Sequence, residues 1–171
     1  AALAESMEHT IAACDDAARR LVADWHDADH WVFCGAGPNY GTALFAAAKL
    51  LEAGGDIALG QDLEEWAHLQ YFGKTAATPT ILLHADGWDR SRALEIATAA
   101  HAIGRRVAAV APADSALAQS NAVDVVLPIP PVRECFSPRL TALPPVLIAA
   151  YRAELLAEPY FRGFGGGRSI E

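Results

Sequence analysis

Five short apolar runs are spaced along the chain by helical patterns: "HWVFCG", "DIALG", "PTILLHA", "RRVAAVA" and "AVDVVLP". Most do not alternate between apolar and polar residues. Successive side chains of a strand point to opposite sides of its sheet, so a strand that is apolar throughout buries both faces. Strands alternating with helices pair in parallel and carry helices on both sides. The expectation is an α/β fold: a three-layer sandwich around a five-stranded parallel sheet with flavodoxin-like winding. A chain of 171 residues is long enough for one such domain with a sizeable core.

The helical segments read as follows. Met7 to Asp24 is amphipathic, with Ile11, Cys14, Ala18, Leu21 and Val22 on one stripe. Pro38 fits the first turn of a helix that "ALFAAAKLLEA" carries to the stop signal Gly54-Gly55. "QDLEEWAHLQYF" is a short helix in which Asp62 is a candidate cap for Glu65. "DGWDRSRALEIATAAHAIG" is a loop, then a helix ended by Gly104. "DSALAQ" is a small helical turn between the last two strands. Pro138 to Ala157 is the last helix, kinked or started late by Pro144 and Pro145.

Charge and cysteine usage exclude several classes of function. With 13 Lys and Arg against 21 Asp and Glu, the net charge is −8, which argues against a nucleic-acid partner. No apolar stretch is long and uncharged enough to span a membrane. The three cysteines, Cys14, Cys34 and Cys135, have no C-x-x-C pairing. That points to a reducing, cytoplasmic setting and no zinc site. The start, "AALAESMEHT", carries acids in place of the basic region of a signal peptide. It also lacks an initiator Met, which fits a piece of a longer protein. "WHDADH", Trp25 to His30, reads as a charged helix end leading into a strand, and Arg105-Arg106 as the start of another.

The glycine turn "CGAGPNYG", Cys34 to Gly41, follows the first apolar run. It sits at the carboxyl ends of the strands, where open α/β sheets bind ligands. Its spacing is G-x-G-x-x-x-G, and Asp56 begins the second strand instead of ending it. A dinucleotide site requires G-x-G-x-x-G and an acid at that strand's end. The remaining readings are the phosphate of a sugar, or only a tight turn into a helix; Gly35, Gly37 and Asn39, with their backbone N–H groups, are what the turn would present to a ligand.

The run "VFCGAGPNYGTALFAAAKLLE" followed by "EEWAH" resembles the sugar isomerase (SIS) domain family, in particular the second of the tandem SIS repeats in the isomerase half of glucosamine-6-phosphate synthase. That family's turn has the form G-x-G-x-x-Y, then K-x-x-E on the helix and E-x-x-H on a short helix. This chain has Tyr40, Lys49, Glu52, Glu65 and His68 at matching spacings. The likeness continues through "ECFSPRLTALPPVLIAAYRAELL" and ends in "FRGFGGGRSIE", covering Met7 to Glu171.

The resemblance implies catalytic roles for Lys49, Glu52 and His68, a substrate contact for Glu65, no metal and no organic cofactor. It implies a sugar phosphate or amino-sugar phosphate as ligand. It also implies a homodimer or a preceding SIS repeat, because the family's histidine reaches the site of another subunit. The domain then spans residues 1–157, and 158–171 is a tail packing near the active site. The chemistry is coherent: aldose–ketose isomerisation needs a carboxylate base, a cation near the developing oxyanion and a proton carrier for ring opening.

Read without the resemblance, Lys49 and Glu52 are an i, i+3 helix pair worth less than about 1 kcal/mol, and Glu65 and His68 a polar helix face. The chain also departs from the family. Aligned from the carboxyl end, Gly166 stands where the family's tail carries a lysine, and Arg168 is the nearest cation. The loop "HADGWDRS" lacks the hydroxyl set of the phosphate-binding S-x-S-G-x-T loop, as second repeats do. Two readings stay open: half of a phosphosugar isomerase or deglycase, and a non-catalytic sugar-phosphate-binding or dimerisation module.

Overall fold

The computed structural model describes residues 2–75 and 77–157. Five parallel strands form one sheet: β1 (His30–Gly35), β2 (Ile57–Asp62), β3 (Thr80–Leu83), β4 (Val107–Pro112) and β5 (Val125–Ile129). Their order is β2-β1-β3-β4-β5. The chain winds outward from β1 in both directions, so right-handed crossovers deliver helices to both faces. One face carries α1 (Ala2–Asp24), α2 (Pro38–Gly54) and α6 (Leu143–Leu156). The other carries α3 (Leu63–His68) and α4 (Arg90–Ala102). This is the three-layer flavodoxin-like sandwich expected from the apolar runs.

β1 explains why those runs do not alternate. Trp31 and Phe33 pack with Leu21, Leu50 and Ile148 on the α1/α2/α6 side. Val32 and Cys34 pack with Trp66, Leu82 and Ile96 on the α3/α4 side. Both periods of the strand are therefore apolar.

Several boundaries differ from expectation for physical reasons. The first helix begins at Ala2, before the amphipathic stripe does. The last helical segment is two helices, α5 (Pro138–Thr141) and α6, broken at Ala142. Pro144 and Pro145 fall in the first turn of α6, where a missing N–H costs no helical bond. "DSALAQ" forms turns instead of a helix, with the Ser115 hydroxyl accepting the Ala118 N–H at 3.2 Å. Asp62 caps α3 through the N–H of Glu64, at 2.9 Å, and not that of Glu65. After α3 the chain tightens into a 3₁₀ turn, Gln70–Phe72.

Near the amino-terminal edge of the sheet, the buried Arg152 of α6 acts as a pin. Its Nε donates to Asp56 Oδ2 at 2.8 Å, and its other nitrogens donate to the carbonyls of His26, at 2.7 Å, and Ala28, at 2.5 Å. Asp56 precedes β2, so its side chain is spent on α6. Among the described residues, no helix is long and apolar enough to cross a membrane. The tail residues Phe161, Phe164, Gly166 and Arg168 lie outside the described residues. Tyr151 is half-buried, its ring under the Arg19 guanidinium and its hydroxyl on Asp15.

Candidate functional site

The glycine turn is built by close packing. A Cβ on Gly35 would lie 2.4 Å from the Asn39 carbonyl oxygen, so only glycine lets β1 turn directly into α2. Gly37 has φ 52°, which disfavours a side chain. The expected free N–H groups are largely consumed. Pro38 has none, the Asn39 N–H bonds the Ala36 carbonyl at 3.0 Å, and the Tyr40 N–H bonds the Gly37 carbonyl at 3.2 Å. The Asn39 side chain is buried, its Oδ1 accepting from Thr141 Oγ1 at 2.7 Å and Ser137 Oγ at 3.1 Å. It ties the start of α2 to α5. What faces Gly37 is a carboxylate and an indole: Glu134 Oε1 and Trp88 Nε1 each lie 3.4 Å from where its Cβ would be.

The loop after β3 gathers its own polar groups around a histidine, a cluster that sequence reading missed. His84, fully buried, has Asp89 Oδ1 3.2 Å from Nδ1 and Asp86 Oδ1 3.6 Å from Nε2. Arg90 reaches Asp86 at 3.3 Å. The available signal was a histidine ending an apolar strand, followed by two acids within five residues.

Lys49 and Glu52 form an ion pair of 2.7 Å toward the carboxyl end of α2. At 1.5 Å per residue they sit about 15–20 Å along the helix from Asn39. The structure therefore separates them from the glycine turn. Their surroundings are unusual for a solvated pair. Leu44, Phe45 and Leu51 on the same helix are each more than one-third exposed, and Lys49 Nζ lies 5.6 Å from the Phe45 ring centroid.

Glu65 and His68 are exposed on α3. His68 Nε2 pairs with Glu64 Oε1 at 3.3 Å, not with Glu65. Glu64 also accepts two bonds from Arg92, at 2.7 and 2.9 Å, and the Arg92 guanidinium holds its carboxyl below the usual range. Since α2 and α3 cover opposite faces of the sheet, one chain does not bring Glu52 and His68 together. In "WHDADH", Asp27 pairs with both terminal nitrogens of Arg106 at 2.7 Å, and His30 Nδ1 meets Asp29 at 2.7 Å. Among the described residues, no three His, Cys, Asp or Glu side chains converge as a metal set.

No family model matches the chain. Over 151 residues it is 31% identical to a glutamine–fructose-6-phosphate aminotransferase (isomerizing) of Thermosynechococcus vestitus, covering 88% of this chain and 24% of the relative. It thus spans about a quarter of that protein's length. Its structure matches the C-terminal domain of glucosamine-fructose-6-phosphate aminotransferase from Francisella tularensis with a TM-score of 0.80 at 17% identity, over 91% of this chain and 44% of that one. It also matches the sugar isomerase domain of an RpiR transcription factor from Sphaerobacter thermophilus, with a TM-score of 0.69 at 19% identity, over 91% of each chain.

Proposed function

The chain belongs to the sugar isomerase (SIS) domain family, and from that premise we propose that it is one half of a phosphosugar isomerase or amino-sugar-phosphate deglycase, completed by a second copy or a preceding SIS repeat. The observation that carries this reading is the Lys49–Glu52 pair, held at 2.7 Å on a helix face whose large apolar side chains are left half-exposed. A solvated ion pair needs no such frame. A face of this kind is suited to being covered, and covering it would take the pair out of bulk water, where electrostatic stabilisation grows.

In this reading the Glu52 carboxylate removes the proton from the carbon beside the sugar carbonyl and returns it to the neighbouring carbon. The Lys49 ammonium stabilises the enediolate oxygen between the two transfers. His68, supplied by the neighbouring copy or repeat, moves the proton that opens the sugar ring. Glu65 lies on the same helix as His68, within reach of the same substrate. Gly35 and Gly37 contribute through shape, and Asn39 contributes little by hydrogen bonding because its N–H and its Oδ1 are already engaged. The phosphate is held by the neighbour, since the HADGWDRS loop of this chain lacks the S-x-S-G-x-T hydroxyl set and its Arg90 is engaged with Asp86. No metal or organic cofactor is required, and the free thiols Cys14, Cys34 and Cys135 suit a cytoplasmic setting.

The likeness to a transcription factor's sugar isomerase domain over 91% of both chains favours a second reading, a sugar-phosphate-binding or dimerisation module without chemistry. Glu52→Gln in the full-length protein separates the two. The isomerase reading requires retained fructose-6-phosphate binding with turnover lowered about 10²–10⁴-fold. Binding without turnover in the unsubstituted protein supports the module.

A further inference from the structure

A small pocket opens at the amino-terminal edge of the sheet, on the α3/α4 side. It is away from the glycine turn and across the sheet from Lys49 and Glu52. Val32, Ile57 and Leu59 line it together with Lys74, Thr78 and Arg105, and its volume is about 160 Å³. That is well below the ~300–1,000 Å³ of pockets that take drug-sized molecules.

Arg105 is the unusual member. It is only 4% exposed. Its Nη2 donates to the Gln70 carbonyl at 2.6 Å, while the buried Nε has no partner. Among the described residues, neither Arg105 nor Lys74 has a carboxylate within ion-pairing distance. Two other guanidinium groups give the contrast. Arg106, next in sequence, is bidentate on Asp27, and the equally buried Arg152 has Asp56. A buried cation is normally paired, because desolvation penalises the bare charge. Burial lowers the proton affinity of Arg105, yet a guanidinium stays cationic at neutral pH. In a protein of net charge −8, carboxylates are plentiful, and none is placed here.

We propose that this pocket binds one small tetrahedral oxyanion, either inorganic phosphate or the phosphoryl end of a phosphomonoester, held by the Arg105 guanidinium and the Lys74 ammonium. The planar guanidinium offers the fork that such oxygens take, and Lys74 adds a point charge at the rim. The anion would join the 3₁₀ turn at Gln70 to the start of β4, so binding stabilises the fold from a point remote from Glu52.

The test is a titration of the full-length protein with inorganic phosphate at constant ionic strength, chloride making the balance, read by calorimetry and by thermal midpoint. Phosphate should raise the midpoint where chloride does not. Arg105→Gln should weaken phosphate about tenfold or more, and Lys74→Ala a few-fold. Because the proposed sugar site leaves its phosphate to the neighbour, loss of the response in Arg105→Gln and Lys74→Ala is what separates this pocket from that site. Phenyl phosphate run in parallel assigns the source. Equal affinity identifies a phosphomonoester end, and binding of phosphate alone identifies the free ion. A midpoint equally insensitive to phosphate and chloride overturns the proposal, and so does an undiminished response in Arg105→Gln. If Arg105→Gln fails to fold, unchanged affinity in the exposed Lys74→Ala variant overturns it instead.

Discussion

Glu52 and His68 stand on opposite faces of one parallel sheet, Glu52 on α2 and His68 on α3. No small substrate bound to one chain touches both. If both act on one sugar, the site is shared between two copies or two repeats. The exposed apolar residues along the same helix, Leu44, Phe45 and Leu51, are then contact surface.

The glycine turn tests how tightly α2 is set against β1. Gly35→Ala forces a Cβ to within 2.4 Å of the Asn39 carbonyl and must move the helix. Gly37→Asn meets the positive φ of 52°, which asparagine tolerates better than most residues, and only side chains, Glu134 and Trp88, 3.4 Å from its Cβ. Gly35→Ala should cost about 2–4 kcal/mol and Gly37→Asn about 1 kcal/mol in urea unfolding. Equal costs would contradict the packing account.

The Arg152–Asp56 pair should behave as a buried ion pair does. Arg152→Leu leaves the Asp56 carboxylate and two carbonyls without their donor, and should cost about 3–5 kcal/mol. Replacing Asp56 by Leu as well should restore part of that loss. A strictly additive double variant would show that the two side chains act independently.

Legibility in the sequence followed the physics of each signal. β1 and α2 were readable to the residue, because an apolar run, Pro38 and Gly54-Gly55 are local cues that nothing distant overrides. The break at Ala142 was half readable, since Pro144 and Pro145 say that a helix starts late but not what precedes it. "DSALAQ" misled, because helix-forming residues there are too few to outweigh the turn that Ser115 holds. The candidate residues Lys49, Glu52, Glu65 and His68 were readable as spacings. Their assignment to opposite sheet faces was not, because it depends on the strand order. Arg105 read as the start of a strand. Its burial under the Gln70 turn is a tertiary event that no local pattern announces.

Acid should unfold the protein partly through Asp27. The two bonds from Arg106 pull its carboxyl down to about 2, below the ordinary value near 3.9. A carboxyl depressed in the folded state contributes stability that is present above its unfolded pKa and is lost as pH falls through the folded one. The contribution should therefore fade between roughly pH 4 and pH 2. In Arg106→Gln the stability curve across that window should be shallower. Superimposable curves would mean that the exposed pair is screened out in solution.

Complementation between two inactive variants tests the shared site most directly. Glu52→Gln and His68→Ala, each made in the full-length protein, should separately lose nearly all isomerase turnover. Dissociated, mixed in equal amounts and reassociated, half of the dimers carry one chain of each kind, and each hybrid has one site with both Glu52 and His68 intact. Turnover should then recover to about a quarter of the unsubstituted level. A mixture no more active than the sum of its two components would contradict a site built from opposite faces of two chains.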